Sequence, residues 1–505
     1  MKMRIMFLLL ILCASFLIAC ADDSSGEFAA TTQSPAGGET AGEGAELEGE
    51  QQQRILSQAP VRDFGGAYYR ILGRLAVSAD RHWDAPDLFA EELTGDIIND
   101  AVFTRNRAIE ERFNVNITRT EADPPGETAR RLIQAGSDEY DIIYDALWST
   151  VGLASGGFGF DLHDVPFLDL AKPWYDQNAN SQLSIGGRLF TTFSDFTILD
   201  KEATWVYLFN KQLISDLELE DPYVLVREGR WTIDKLYEMA RSASRDLTGD
   251  GVMGLWDQYG YMGEGFNMYV SLLAAGVNLF PKDANDLPTF NGIPERAFRA
   301  FEGLMRVLAN DEIALLAEHA GRKGFAGGNV FTDVMDRGFM EGRVLFSHAG
   351  MNRVTLFREM EVDFGIIPPP KFDEAQEEFH VTVTSHAATS FVIPITLHGE
   401  ALERVGILTD ALAAESRYTL IPAYYDQQLT TKLLRDEESG EMLDIIFASR
   451  KFDLGLIHGF GGLPGIFNTA MTSNNPNIAS QIERATARIE RDIERLIETY
   501  ENIGR

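Results

Sequence analysis

Two rhythms of apolar residues alternate along this chain: short runs typical of buried strands, and stripes at helical spacing. Ala67-Tyr68-Tyr69-Arg70-Ile71-Leu72 with Leu75-Ala76-Val77 predicts a first strand. Asp96–Phe113 follows as a helix, with Ile97, Ala101, Ile109 and Phe113 on one face. Asn114-Val115-Asn116-Ile117 is a second strand, Thr128–Ala135 a second helix and Asp141-Ile142-Ile143-Tyr144 a third strand. The third is apolar enough for a parallel sheet buried on both faces. Further on, Leu189–Thr192 leads through Ser194–Asp200 into a strand at Trp205-Val206-Tyr207-Leu208-Phe209. Thr232 caps a helix whose inner face carries Ile233, Leu236, Tyr237 and Ala240. Val344–Phe346, Val362–Ile367 and Ser390–Pro394 read as later strands, and Pro368-Pro369-Pro370 marks a connection because proline cannot enter a sheet centre. A final helix from about Pro476 to Tyr500 packs through Ile478, Ile482, Ala485, Ile489, Ile493 and Leu496. Strand–helix alternation of this kind predicts an α/β fold, and 505 residues predict more than one core.

The first residues follow a different logic. Lys2 and Arg4 precede the apolar run Ile5–Leu12, and Leu17-Ile18-Ala19-Cys20 reads as a lipobox. Residues 1–20 are therefore an export signal, and Cys20 is the expected acceptor of a lipid that anchors the chain outside the cytoplasm. Residues 21–61 read as an acidic tether, too poor in large apolar side chains to offset the entropy of ordering. The formal charge is −33; without Lys2 and Arg4 the mature chain has 42 basic against 77 acidic residues, or −35. Such a field repels nucleic acid and anionic lipid and suits neutral or cationic small ligands. The two cysteines are Cys13 and Cys20, so the folded body has no disulfide, thiol nucleophile or cysteine metal site.

One loop predicts a metal. Asp246-Leu247-Thr248-Gly249-Asp250-Gly251-Val252-Met253-Gly254-Leu255-Trp256-Asp257 approximates a twelve-residue calcium loop. Asp246, Thr248, Asp250, the Val252 carbonyl and Asp257 would be the ligands of a structural Ca2+. Thr248 and the short Asp257 depart from the pattern, and an acidic turn without metal is the alternative. No Gly-x-Ser-x-Gly elbow, His-Glu-x-x-His helix or phosphate-binding loop is present.

Several phrases carry a family resemblance: Gly95-Asp96-Ile97-Ile98-Asn99-Asp100-Ala101-Val102, Tyr140-Asp141-Ile142-Ile143-Tyr144, Lys172-Pro173-Trp174-Tyr175-Asp176-Gln177-Asn178-Ala179 and Ala413-Ala414-Glu415-Ser416-Arg417-Tyr418. Over residues 62–505 the chain resembles the extracellular solute-binding proteins of ABC importers, the maltose-binding-protein-like group with lipid-anchored members in Firmicutes. The resemblance implies a two-lobed, type II periplasmic-binding-protein-like α/β architecture with a ligand in the interlobe cleft. It also implies a permease partner and no catalysis. The expected layout is 62–197 with 366–432 as lobe 1, and 198–365 with 433–505 as lobe 2. Ligands of open α/β sheets lie beyond the carboxyl ends of strands. That rule points to loops at Trp83, Asp145–Trp148, Ser194–Trp205, Thr384–Ala388 and Pro422–Tyr425.

A sugar, the most favoured solute, needs aromatic faces and hydrogen-bonding rims. Trp148 with Asp145 offers both, unless they are a core tryptophan and a loop aspartate. Trp83 sits in a polar loop beyond the first strand. Asp200, before Trp205 at the expected hinge, is a ligand candidate or a cap. His386 is a candidate or a structural histidine, and Tyr424 or Tyr425 faces the cleft. Trp174 and Tyr175 read as packing. A secreted carbohydrate-active enzyme and a surface scaffold or adhesin are the competing functions.

Overall fold

A computed structural model describes residues 54–74, 87–357, 360–430 and 437–503. Cys20, the export signal, the tether up to residue 53 and Trp83 lie outside the described residues. The strands are β1 (Ala67–Arg74), β2 (Val115–Ala122), β3 (Ile142–Ala146), β4 (Trp205–Asn210), β5 (Tyr259–Gly263), β6 (Ala314–Leu316), β7 (Val344–Gly350), β8 (Phe364–Ile367), β9 (Val381–Thr382), β10 (Thr389–Val392) and β11 (Arg450–Lys451). They form two main sheets. One has the order β10-β3-β1-β2, the other β6-β5-β7-β4-β8. In the first, β1 runs parallel to β2 and β3 while β10 is antiparallel to β3. In the second, β5 is parallel to β6 and β7, and β4 is antiparallel to both of its neighbours.

Each sheet has its own core. Tyr69, Ile71, Ile142, Tyr144, Phe391 and Leu408 belong to the first. Val206, Leu208, Tyr261, Leu304, Phe346 and Ile366 belong to the second. Burial of such side chains, worth about 1.5–3 kcal/mol each, is the main force holding each lobe. The chain leaves the first core after Ala203 and enters the second at Val206. It returns between Val381 and Val383, later than the expected residue 366, because β8 pairs with β4 and the proline run follows it. Here the crossing segments lie side by side. Thr384 N donates to Ala203 O at 3.1 Å, Val383 N to Lys451 O at 3.1 Å, and β9 pairs with β11 in parallel.

Local sequence explains most elements. Asp96 caps the helix Ile97–Phe113, accepting from Ile98 and Asn99 N–H. Its buried face is Ile98, Val102, Ile109 and Phe113, one position round from the expected Ile97 and Ala101. Buried Arg105 turns it: the guanidinium donates to the carbonyls of Asp87, Leu88 and Phe196. Thr232 caps the helix Ile233–Ala243 as expected. The last helix, Ala479–Asn502, buries the expected stripe. Pro422 lies in the first turn of a helix, Leu420–Thr430, rather than in a loop, because a first-turn proline forfeits no intrahelical bond.

Candidate functional site

Between the sheets lies a cavity of about 250 Å3 at the carboxyl ends of β5 and β7 and the start of β4. Its lining includes Trp205, Glu264, Phe331, Asp336, His348 and Arg353 from the second lobe, and His386 from the segment entering β10. Beside it Phe266 and His386 meet edge to face, ring centroids 5.7 Å apart.

The second lobe builds its wall with care for geometry. Met351 N donates to Thr204 O at 2.9 Å, pinning the end of β7 to the first crossing beside Trp205. Asn267 Oδ1 accepts from Glu264 N and Glu318 Oε1 from Gly265 N at 2.8 Å, so the turn after β5 is fixed. A π-helical turn, Phe331–Asp336, brings Phe331 and Asp336, five residues apart, to the same cavity. Arg353 Nη1 pairs with Asp336 Oδ2 at 3.0 Å. Trp205 is 4% exposed, tilted on Phe266 at 5.5 Å and edge-on to His348 at 5.6 Å. Two buried polar atoms in this wall, Trp205 Nε1 and His348 Nε2, have no hydrogen-bond partner. A buried donor left in this state costs about 1–3 kcal/mol, which a guest can recover.

Burial tunes the titratable groups. It pushes Glu264 up to about 7, with Glu318 adding to the rise and Arg353 opposing it. Asp336 is pushed up to about 6 by burial against the opposing pull of Arg353. Burial also lowers His348 to about 3, keeping it neutral. His386 is lowered by its surroundings and by Arg74.

The other sequence candidates divide. Trp148 lies in the first turn of the helix Leu147–Ser155 that follows β3, 53% exposed, with its backbone N–H donating to Ser385 O at 3.0 Å. Its exposed indole does not line the cavity. Asp145 is occupied instead: it accepts from Gly126 N at 3.0 Å and Ala146 N at 2.7 Å and holds the turn opposite. Asp200 is 1% exposed and ion-paired with Arg450 at 2.6 Å and Lys201 at 3.3 Å, so it is a hinge strut rather than a ligand group. Arg450 also pairs with Asp176. Tyr424 is fully buried and Tyr425 packs edge-on against Phe447, so neither belongs to this cavity. Trp174 and Tyr175 are packing residues bonded to Asp410 at 3.0 and 3.2 Å. No pattern in the sequence points to Glu264, Phe331, Asp336 or Arg353. The carboxyl-end rule would have found Glu264 had the glycine-containing β5 been recognised.

The loop 246–257 closes on itself. Asp246 accepts from Gly249 N at 2.6 Å and Gly251 N at 2.7 Å. Asp257 accepts from Leu247, Thr248 and Gly254 N–H, and Asp250 from Val252 N. The Val252 and Thr248 positions complete a turn held by amides. Among the described residues no three or more His, Cys, Asp or Glu are grouped to hold a metal ion. In this conformation the expected calcium ligands do not converge, because backbone N–H groups take the carboxylate oxygens.

No family model matches the sequence, and no curated protein matches it. Solved structures do. An ABC substrate-binding protein of Listeria monocytogenes, solved with cycloalternan, aligns at TM-score 0.52 and 12% identity over 85% of this chain and 99% of that one. Apo RafE of Streptococcus pneumoniae aligns at 0.53 and 13%, covering 85% and 98%. A solute-binding protein of Thermotoga lettingae bound to α-D-tagatose aligns at 0.51 and 13%, covering 85% and 100%. The fold is that of the two-lobed solute-binding proteins. In this solute-binding fold the interlobe cavity is the place where the topology rule puts a ligand. Among the described residues no helix is long and apolar enough to cross a membrane.

Proposed function

We propose that this chain is an extracytoplasmic receptor that captures a sugar or oligosaccharide between its lobes and delivers it unchanged to an ABC permease. The observation that carries this reading is the interlobe cavity, where aromatic rings stand beside buried polar atoms that lack partners. Rings cover the C–H faces of a sugar and polar atoms bond its hydroxyls. A guest touching Trp205 and Arg353 on one lobe and His386 on the other favours the closed arrangement by its differential affinity. The solved proteins of the same fold include binding proteins for cycloalternan and tagatose. Lipid attachment at Cys20 is the corresponding means of retention at the membrane, with a tether that ends before residue 55 rather than at the expected 61, because Ser57 bonds Asp410 at 2.6 Å and Ala59 packs into the first core.

A melting-shift screen of mono- and oligosaccharides, followed by chromatography of the bound sugar, tests the reading. Stabilisation by a sugar recovered intact supports it. Recovery of a cleaved product would replace the receptor by an enzyme. Cys20→Ser is expected to release the protein from membranes; retention after salt and carbonate washing would reject the anchor.

A further inference from the structure

We infer that the ligand of this cleft carries a protonated amine or an equivalent cation, paired with Glu264. The inference deepens the receptor reading and rests on it for the site, though not for the sugar.

Charge placement carries the argument. The cavity is lined by two carboxylates, Glu264 and Asp336, and by one guanidinium, Arg353. That guanidinium pairs with Asp336 at 3.0 Å and acts on Glu264 only from beyond contact distance. Glu318 stands directly behind, bonded to Gly265 N at 2.8 Å, and adds a further negative charge. Neither histidine compensates, since His348 is neutral through burial and His386 is lowered. Among the described residues the half-buried Glu264 side chain has no ion pair or hydrogen bond. A neutral sugar would leave Glu264 holding its proton; an ammonium would favour the carboxylate form and pair with it in a setting where Coulomb attraction is weakly screened.

Two other observations point the same way. Trp205 and Phe331 line the same cavity, and aromatic faces attract cations. Trp205 Nε1 and His348 Nε2, both buried and unpartnered, leave donor and acceptor positions for the rest of a polar guest. At longer range the formal charge of −33 concentrates cations around the protein.

The test is calorimetric titration of the mature chain at pH 7, where Glu264 is substantially ionised, with three probes: the trimer of β-1,4-linked glucosamine, the trimer of β-1,4-linked glucose, and spermidine. The glucosamine trimer is expected to bind at least tenfold more tightly than the glucose trimer. In Glu264→Gln that ratio should fall below threefold, and in Glu264→Asp it should largely persist, which separates charge from loss of fold. Equal affinity for the two trimers overturns the inference and leaves a sugar receptor standing. Spermidine binding that depends on Glu264, with neither trimer bound, keeps the inference and removes the sugar. A preference that survives Glu264→Gln, or no binding of any probe, overturns it.

Discussion

The hinge and the cleft are both buried and both charged, yet they are finished differently. At the hinge Arg450 sits between Asp176 and Asp200, with Lys201 on Asp200 and also 3.6 Å from Asp195. Every formal charge there faces an opposite one. In the cleft Arg353 answers Asp336 directly and reaches Glu264 only at longer range, so Glu264 has no contact partner, and two ring nitrogens lack partners. A closed network of charges fixes the arrangement of the crossing segments; an open one is completed only by something from outside. The contrast separates residues that hold the lobes together from residues that hold a guest, although burial alone ranks Asp200 and Trp205 alike.

The largest expected effect breaks the closed network. Arg450→Met leaves Asp176 and Asp200 buried without their partner and should cost about 3–5 kcal/mol in urea unfolding. A loss below about 1 kcal/mol would mean the hinge charges are solvated in solution. Next, Trp205→Phe keeps an aromatic ring but removes Nε1. Affinity for the ligand found by screening should drop roughly tenfold, the value of about one hydrogen bond, with stability nearly retained. Trp148→Ala should weaken binding by a smaller factor, since only a guest that extends beyond the cavity meets this exposed indole; an unchanged calorimetric constant would remove it from the site.

A pH measurement sharpens the comparison further. The Glu264 carboxyl is raised from its ordinary 4.5 to about 7 in the folded state. The folded protein thus binds the proton more tightly than the unfolded chain. Stability from this group is complete below about 4.5 and is lost as pH rises through about 7. Glu264→Gln should flatten the melting temperature between those values in the absence of ligand. An unchanged slope would show that Glu264 is already solvated or paired. The smallest effect belongs to the loop 246–257. Its turn is held by its own amides, so calcium and a chelator should give melting temperatures within about 1 °C of each other. A clear rise with calcium would show that the loop rearranges to converge Asp246, Asp250 and Asp257.

The sequence made the architecture legible where strands are continuous apolar runs. Ile142–Ala146 and Trp205–Asn210 are fully buried, and their composition says so. Tyr259–Gly263 is equally buried but contains two glycines, and Ala314–Leu316 is three residues long, so neither stands out from its surroundings. Trp205 and His386 could be read because they flank recognisable strands. Asp336 and Arg353 could not, since they are 17 positions apart and meet only when a π-helical turn and the end of β7 are folded together. Arg105 shows the opposite failure: a charged side chain on a helix reads as solvent-facing until buried carbonyls from two other segments converge on it.

The wide turn at Phe331–Asp336 amounts to one residue more than an ordinary helix would use over the same height. Excising that surplus residue would rotate everything on one side of it by about 100° relative to the other. Phe331 and Asp336 would then no longer share an outlook, and Arg353 would lose its carboxylate. An inserted amino acid is thus a device by which a helix can aim two unlike side chains at one point, and a lineage that discarded it would be expected to accept a different cargo.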